Sequence, residues 1–241
     1  MPDALLALSG VHTLIGHYHI LQGVDLAVPR GELTMLLGRN GAGKTTALRT
    51  ILGLWRASAG SIRFEDEEIA PGQTPAIASL GIAYVPEAMG IFAGLTVKEN
   101  LVLAARSGPP DEQRLDWIFR FFPPMKKFWF LPAGLLSGGQ KQMLAISRAI
   151  VEPRKLLLID EPTKGLAPAI INNLIEAFAE LKKTDTTILM VEQNFHAARS
   201  LGDSVAVMDA GRIVHTGRMA DLAADSALQT RLLGLSLEAH Q

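Results

Sequence analysis

Several short stretches carry residue types whose spacing can do phosphate chemistry. The first runs Gly38-Arg39-Asn40-Gly41-Ala42-Gly43-Lys44-Thr45-Thr46, a Gly-x-x-x-x-Gly-Lys-Thr pattern. Gly38, Gly41 and Gly43 let the backbone turn its N–H groups inward around phosphate oxygens, where a side chain would intrude. Lys44 then reaches the β- and γ-phosphates of a nucleotide, and the Thr45 hydroxyl can ligate Mg²⁺. The second stretch is Asp160-Glu161, which closes the apolar run Leu156 to Ile159. The first carboxylate can hold Mg²⁺ through its water shell, and the next can polarise a water beside the γ-phosphate. Alone, such a pair is more often a solvated turn; behind a phosphate loop it reads as half of a hydrolytic site. The third is Leu136-Ser137-Gly138-Gly139-Gln140. Its serine hydroxyl and backbone N–H groups at a helix start suit either a plain cap or a phosphate.

Elements must hold these stretches in place. Leu33 to Leu37 reads as a buried strand that feeds a helix with Leu48, Ile51 and Leu52 on one face, ending at Gly53. A strand leading into a helix N-terminus aims the helix dipole at phosphate. Leu156 to Ile159 suits a strand buried on both faces, Ile171 to Leu181 a helical stripe stopping at Lys182-Lys183, and Thr187 to Val191 a further strand. Strands alternating with helices predict a mostly parallel α/β sheet whose ligands sit beyond the strand carboxyl ends. The polar clusters after Leu37, Ile159 and Val191 all fall there. Before this core, Ala4 to Leu26 predicts antiparallel strands, and Gly60 to Phe64 and Gly81 to Val85 predict further strands. Ala88 to Ile150 reads as a helical insertion, cut at Gly108-Pro109-Pro110 and Pro123-Pro124. The tail predicts a hairpin about Asp209 to Arg212 and a short helix. His17 and His19 share a face if they lie on a strand, but two histidines without a third ligand in register read as surface residues.

Bulk properties narrow the function classes. The chain has 241 residues, 48% hydrophobic and 20% charged, the composition of a folded, soluble protein. A net charge of −1 gives no general attraction to nucleic acid or anionic lipid. Without cysteine there is no thiol nucleophile, disulfide framework or thiolate metal site. No apolar run approaches the roughly 18 residues that span a bilayer, and the N-terminus lacks the features of a signal peptide.

In the company of the phosphate loop and Asp160-Glu161, Leu136 to Gln140 resembles the signature of the ATP-binding cassette family. The resemblance also takes in Glu87, Pro162, Thr163 to Pro168 as the D-loop, and Gln193 at the switch, and so runs nearly the whole chain as one nucleotide-binding domain, 1–241. It implies a P-loop NTPase core with an N-terminal antiparallel β subdomain and a helical subdomain inserted at about 88–150. It also implies ATP and Mg²⁺ as cofactors. Residues 38–46 would bind ATP, with Thr45, Glu87 and Asp160 toward the metal and Glu161, Gln193 and Lys44 as catalytic groups. Ser137, Gly138, Gly139 and Gln140 would close over ATP held by a second ATPase subunit packed head to tail. Ile15 falls where the family has an aromatic that stacks on adenine, with Tyr18 out of register, so weak stacking is expected. Val85 to Glu87, Gly165 to Pro168 and Val191 to Asn194 look most like the ATPase subunits of branched-chain amino acid importers, with urea and amide importers as near relatives. Those work with permeases and a solute-binding protein at the cytoplasmic face of the membrane, as peripheral subunits. Phe128-Trp129-Phe130 cannot all face one core, so at least one is expected exposed, with Met89 and Ile91, as a permease-docking surface. Only Lys126 and Lys127 flank the aromatics, so no groove for nucleic acid is expected.

Overall fold

The computed structural model describes residues 4–106 and 108–234. β1 (Ala4–Ile15) and β2 (Tyr18–Pro29) form an antiparallel hairpin over Gly16-His17, and β4 (Ala57–Phe64) and β5 (Glu67–Glu68) extend it into a sheet ordered β2-β1-β4-β5. The hairpin turn needs the left-handed backbone of Gly16, φ 60°.

The second sheet has six strands. β3 (Leu33–Leu37) lies at its centre between β8 (Thr187–Val191) and β9 (Ser204–Asp209), with β7 (Leu156–Asp160) and β6 (Ile82–Val85) beyond β8. All these pairs are parallel; β10 (Arg212–Arg218) closes the edge antiparallel to β9. Because side chains alternate across a strand, the sheet divides the core in two. Leu157, Ile159, Ile188 and Met190 face one cluster, while Leu156, Leu158, Leu189 and Val191 face the other. The second cluster takes in α1 (Lys44–Ile51) and the antiparallel sheet, so burial fixes how the two sheets meet around the phosphate loop. Gly211, at the β9–β10 turn, donates its N–H to Ala42 O at 2.9 Å and accepts Gln22 N–H at 2.9 Å. A Cβ there would lie 2.1 Å from Ile20 O, so only glycine fits between the hairpin and the loop.

Between β6 and β7 the described residues carry α3 (Val97–Ala104), α4 (Glu112–Phe121), α5 (Pro123–Lys127), a 3₁₀ turn and α6 (Gly138–Ile150). Helix starts later than Ala88, because Met89 and Gly90 take positive φ in a turn and Thr96 with Glu99 makes the capping box that opens α3. Pro123 also starts α5 as well as ending α4, its missing N–H costing nothing in a first turn. Phe122 is fully buried, whereas Trp117 and Phe121 are half-buried and pack on each other. Phe128 and Trp129 lean on the same core and Phe130 is 75% exposed.

The remaining helices are α2 (Thr74–Ser79), α7 (Pro168–Leu181), α8 (Phe195–Leu201), α9 (Met219–Ala224) and α10 (Ser226–Leu233). No described helix is long and apolar enough to cross a membrane.

Candidate functional site

The ends of β3, β7 and β8 bring the chemistry together. Gly38 follows β3 with φ 147°, and a Cβ there would meet Met208 O at 2.1 Å, so the loop can press against β9 only as glycine. Gly43, φ 107°, caps α1 and starts Lys44 in helix. Arg39, Asn40 and Gly41 are exposed, Ala42 is buried and Thr46 half-buried. Lys44 is only 5% exposed. Its Nζ donates to Gly38 O at 2.8 Å and Arg39 O at 3.0 Å, which draws it across the loop it serves. Burial lowers its pKa, opposed by the nearby carboxylates of Glu161 and Asp160.

Asp160 ends β7 fully buried, and its oxygens accept from Thr45 Oγ1 at 3.1 Å and Tyr84 OH at 3.3 Å. Burial pushes its pKa up, while those two hydroxyls pull the other way. The Tyr84 phenol, buried beside a carboxylate, is pushed up to about 12 and keeps its proton. Glu161 follows at φ 48°, a conformation non-glycine residues seldom adopt, and its N–H is fixed to Val191 O at 2.9 Å. This turn aims Glu161 into the site. Its carboxylate accepts from Gln193 Nε2 and pairs with Lys164 Nζ at 3.3 Å. Lys164 also holds Glu87 at 2.6 Å, so the loop after β6 joins the same network. Thr45, Asp160 and Glu87 offer hard oxygen donors only, which suits Mg²⁺ rather than a softer metal, and the direct Thr45–Asp160 bond sets two of them side by side.

The structure therefore unites Lys44, Thr45, Glu87, Asp160, Glu161 and Gln193, all read from the sequence. Ser137 to Gln140 stand apart from that network, at the start of α6. There Ser137 Oγ accepts Gln140 N–H at 3.4 Å and Gln140 Oε1 accepts Ser137 N–H at 2.9 Å. The Ser137 amide is thus taken by the cap; what remains for a phosphate is the hydroxyl hydrogen and the exposed first turn at Gly138 and half-buried Gly139.

Ile15 and Tyr18 are cross-strand partners over a two-residue turn, which puts their side chains on one face, with Tyr18 75% exposed. His17 and His19 are both exposed, as read from the sequence, and His19 Nε2 lies 2.9 Å from His12 Nδ1.

Sequence reasoning gave no role to Lys164 or Glu192. Lys164 stands three residues after Glu161, a spacing that returns a turn onto itself and was the available signal. Glu192 is 2% exposed and accepts three backbone N–H groups, from Thr163 at 3.1 Å, Gln193 at 3.1 Å and Asn194 at 3.2 Å. It ties the segment after Glu161 to the segment bearing Gln193. Burial raises its pKa against those hydrogen bonds.

A parallel sheet flanked by helices, with a phosphate loop after its central strand and paired carboxylates at the end of the strand two places away, defines a P-loop nucleotide-hydrolysing fold. A family model of ABC transporters matches residues 21–164, and the chain belongs to that family. It is 39% identical over 232 residues to the high-affinity branched-chain amino acid transport ATP-binding protein BraG of Pseudomonas aeruginosa, covering 95% of this chain and 100% of that one. It is 34% identical to the probable branched-chain amino acid transport ATP-binding protein LivF of Archaeoglobus fulgidus, over 90% of this chain and 93% of that one. Among solved structures it resembles a nucleotide-free ATP-binding cassette from an ABC transporter, with TM-score 0.81, 25% identity, and coverage of 97% and 99%. It likewise resembles the ADP conformation of MJ1267, an ATP-binding cassette of an ABC transporter, with TM-score 0.79, 25% identity and coverage of 96% and 99%.

Proposed function

We propose that this chain is the ATP-hydrolysing subunit of a membrane importer for small polar solutes, most directly branched-chain amino acids. The observation that carries the reading is the meeting at the strand ends of the Thr45–Asp160 pair and the Glu161, Gln193, Lys164 and Glu87 cluster, with Lys44 close enough for the charges of Glu161 and Asp160 to act on it. Residues Gly38 to Thr46 hold the phosphates, Lys44 neutralising the β- and γ-groups. Tyr18 with Ile15 offers the adenine an exposed face beside the loop. Thr45, Asp160 and Glu87 would hold Mg²⁺, which when bound offsets phosphate charge. Glu161 takes the proton of the attacking water, and the Gln193 amide, already donating to Glu161, is placed to hold that water.

A second ATPase subunit, this chain or a paralogue, would bring its Ser137 to Gln140 over the nucleotide head to tail. The importer reading adds permeases, a solute-binding protein reached through them, and a peripheral place on the cytoplasmic face of the membrane. Phe130 supports a permease contact: it is 75% exposed, whereas Met89 and Ile91, expected beside it, are partly buried against the core, and the exposed residue of that turn is Phe92, at 49%. The helical segment 88–150 would then act as the docking subdomain of one nucleotide-binding domain, 1–241.

The test is ATP turnover and solute uptake measured together. Glu161→Gln should bind ATP and nearly stop hydrolysis, and Lys44→Ala should lose ATP binding. Cells lacking the chain should lose uptake of labelled leucine. Uptake of leucine unchanged while urea or amide uptake fell would move the solute assignment to the neighbouring importer class; parental turnover by Glu161→Gln would remove the catalytic assignment.

A further inference from the structure

Lys164 makes the shortest link between the candidate metal ligand Glu87 and the candidate general base Glu161. Its Nζ lies 2.6 Å from Glu87 Oε1 and 3.3 Å from Glu161 Oε2, so one ammonium bridges two carboxylates from different loops. These partners favour the charged ammonium, and Lys164 is near enough to Lys44 to disfavour the charge there. The arrangement opposes both functions assigned to those carboxylates. A carboxylate holding an ammonium at 2.6 Å must surrender or share that contact to ligate a metal, and a carboxylate oxygen facing the same ammonium at 3.3 Å is not free to meet a water.

We infer that Lys164 is a built-in counter-cation that competes with Mg²⁺ for Glu87 and holds Glu161 back until it swings away. This rests on the ATPase reading above. The side chain has the freedom the step needs. It is 57% exposed, Gly165 follows with φ 71° and open space around it, and Thr163 just before is anchored through its N–H to buried Glu192. Lys164 can thus leave the two carboxylates for solvent without moving the backbone that positions Glu161. It acts through Glu87 and Glu161 rather than on the nucleotide, which makes it a positioning residue.

The experiment is a Mg²⁺ titration of the binding of a fluorescent, non-hydrolysable ATP analogue to the full chain, so that turnover plays no part in the readout. Lys164→Ala and Lys164→Gln should reach half-saturation at about two- to fivefold lower Mg²⁺ than the parent, the range set by releasing an exposed ion pair. Lys164→Arg, which keeps the bridge, should follow the parent. Superimposable Mg²⁺ curves for parent, Lys164→Ala and Lys164→Gln overturn the inference. A higher Mg²⁺ requirement in Lys164→Ala overturns it as well, because Lys164 would then be helping to hold the nucleotide. A parent that binds no analogue at any Mg²⁺ concentration overturns the ATPase reading itself, and the inference with it.

Discussion

Replacing Glu192 by Gln separates two loops that the carboxylate holds together. One oxygen takes the Thr163 N–H, and the other takes those of Gln193 and Asn194. An amide of the same shape has a single acceptor. Turned toward Gln193 and Asn194 it keeps two bonds, and its NH₂ then faces the Thr163 N–H, donor against donor. Thr163 is 6% exposed, so water does not readily rescue that amide. Losing a hydrogen bond to a charged acceptor and leaving a dry donor costs about 2–3 kcal/mol. The variant also escapes the burial of a charge, which raises the Glu192 pKa and offsets part of that loss. The net destabilisation expected is about 1–2 kcal/mol, the smaller end of a buried hydrogen-bond loss. For a chain of this size that lowers Tm by about 2–8 °C. Thermal unfolding at neutral pH without nucleotide reads it directly. Turnover should fall more than ATP affinity, because the segment after Glu161 loosens while the phosphate loop is untouched. If Tm and turnover both matched the parent, Glu192 would not be linking the two segments.

Asp160 and Glu192 have raised pKa values, so the stability each contributes is full below the ordinary carboxylate range and is lost as pH rises through the raised value. Asp160→Asn removes one such group, and its Tm relative to the parent should climb from about pH 4 to pH 7 without nucleotide, while Mg²⁺-dependent ATP binding collapses; a pH-independent difference would refute this. Gln193→Ala should slow turnover and spare ADP affinity, and Gln193→His should add an ionisation between about pH 5 and 8 to the turnover profile. Phe122→Ala should cost about 3–5 kcal/mol in urea unfolding, as a fully buried ring leaves a cavity. Phe130→Ser should shift stability by less than about 0.5 kcal/mol and weaken co-purification with the permease; the reverse ranking would put Phe130 in the core.

The parallel core was legible because its strands are continuous apolar runs bounded by chemistry-bearing residues, as in Leu156 to Glu161 and Thr187 to Gln193. Spacing alone placed Lys44 and Thr45, since the glycines at 38 and 43 each meet a steric demand that no other residue satisfies. What escaped were contacts made by long side chains across loops. Nothing in the local pattern says that Lys164 reaches back to Glu161 and across to Glu87, or that Glu192 folds inward onto backbone amides. Phe128 to Phe130 lay between these cases, as geometry required an exposed member but only packing chose Phe130.

The Gly211 turn fastens the hairpin edge to the phosphate loop through Gln22 on one side and Ala42 on the other. Those two parts are therefore a single stiff jaw. The span from Tyr18, at the base end, to Lys44, at the phosphate end, behaves as a caliper of fixed opening. A nucleotide bound as proposed would be gauged for length by that span. On the nucleotide-hydrolysing reading, closure would fall to the loops that carry Lys164 and Gln193, which lie outside this tie.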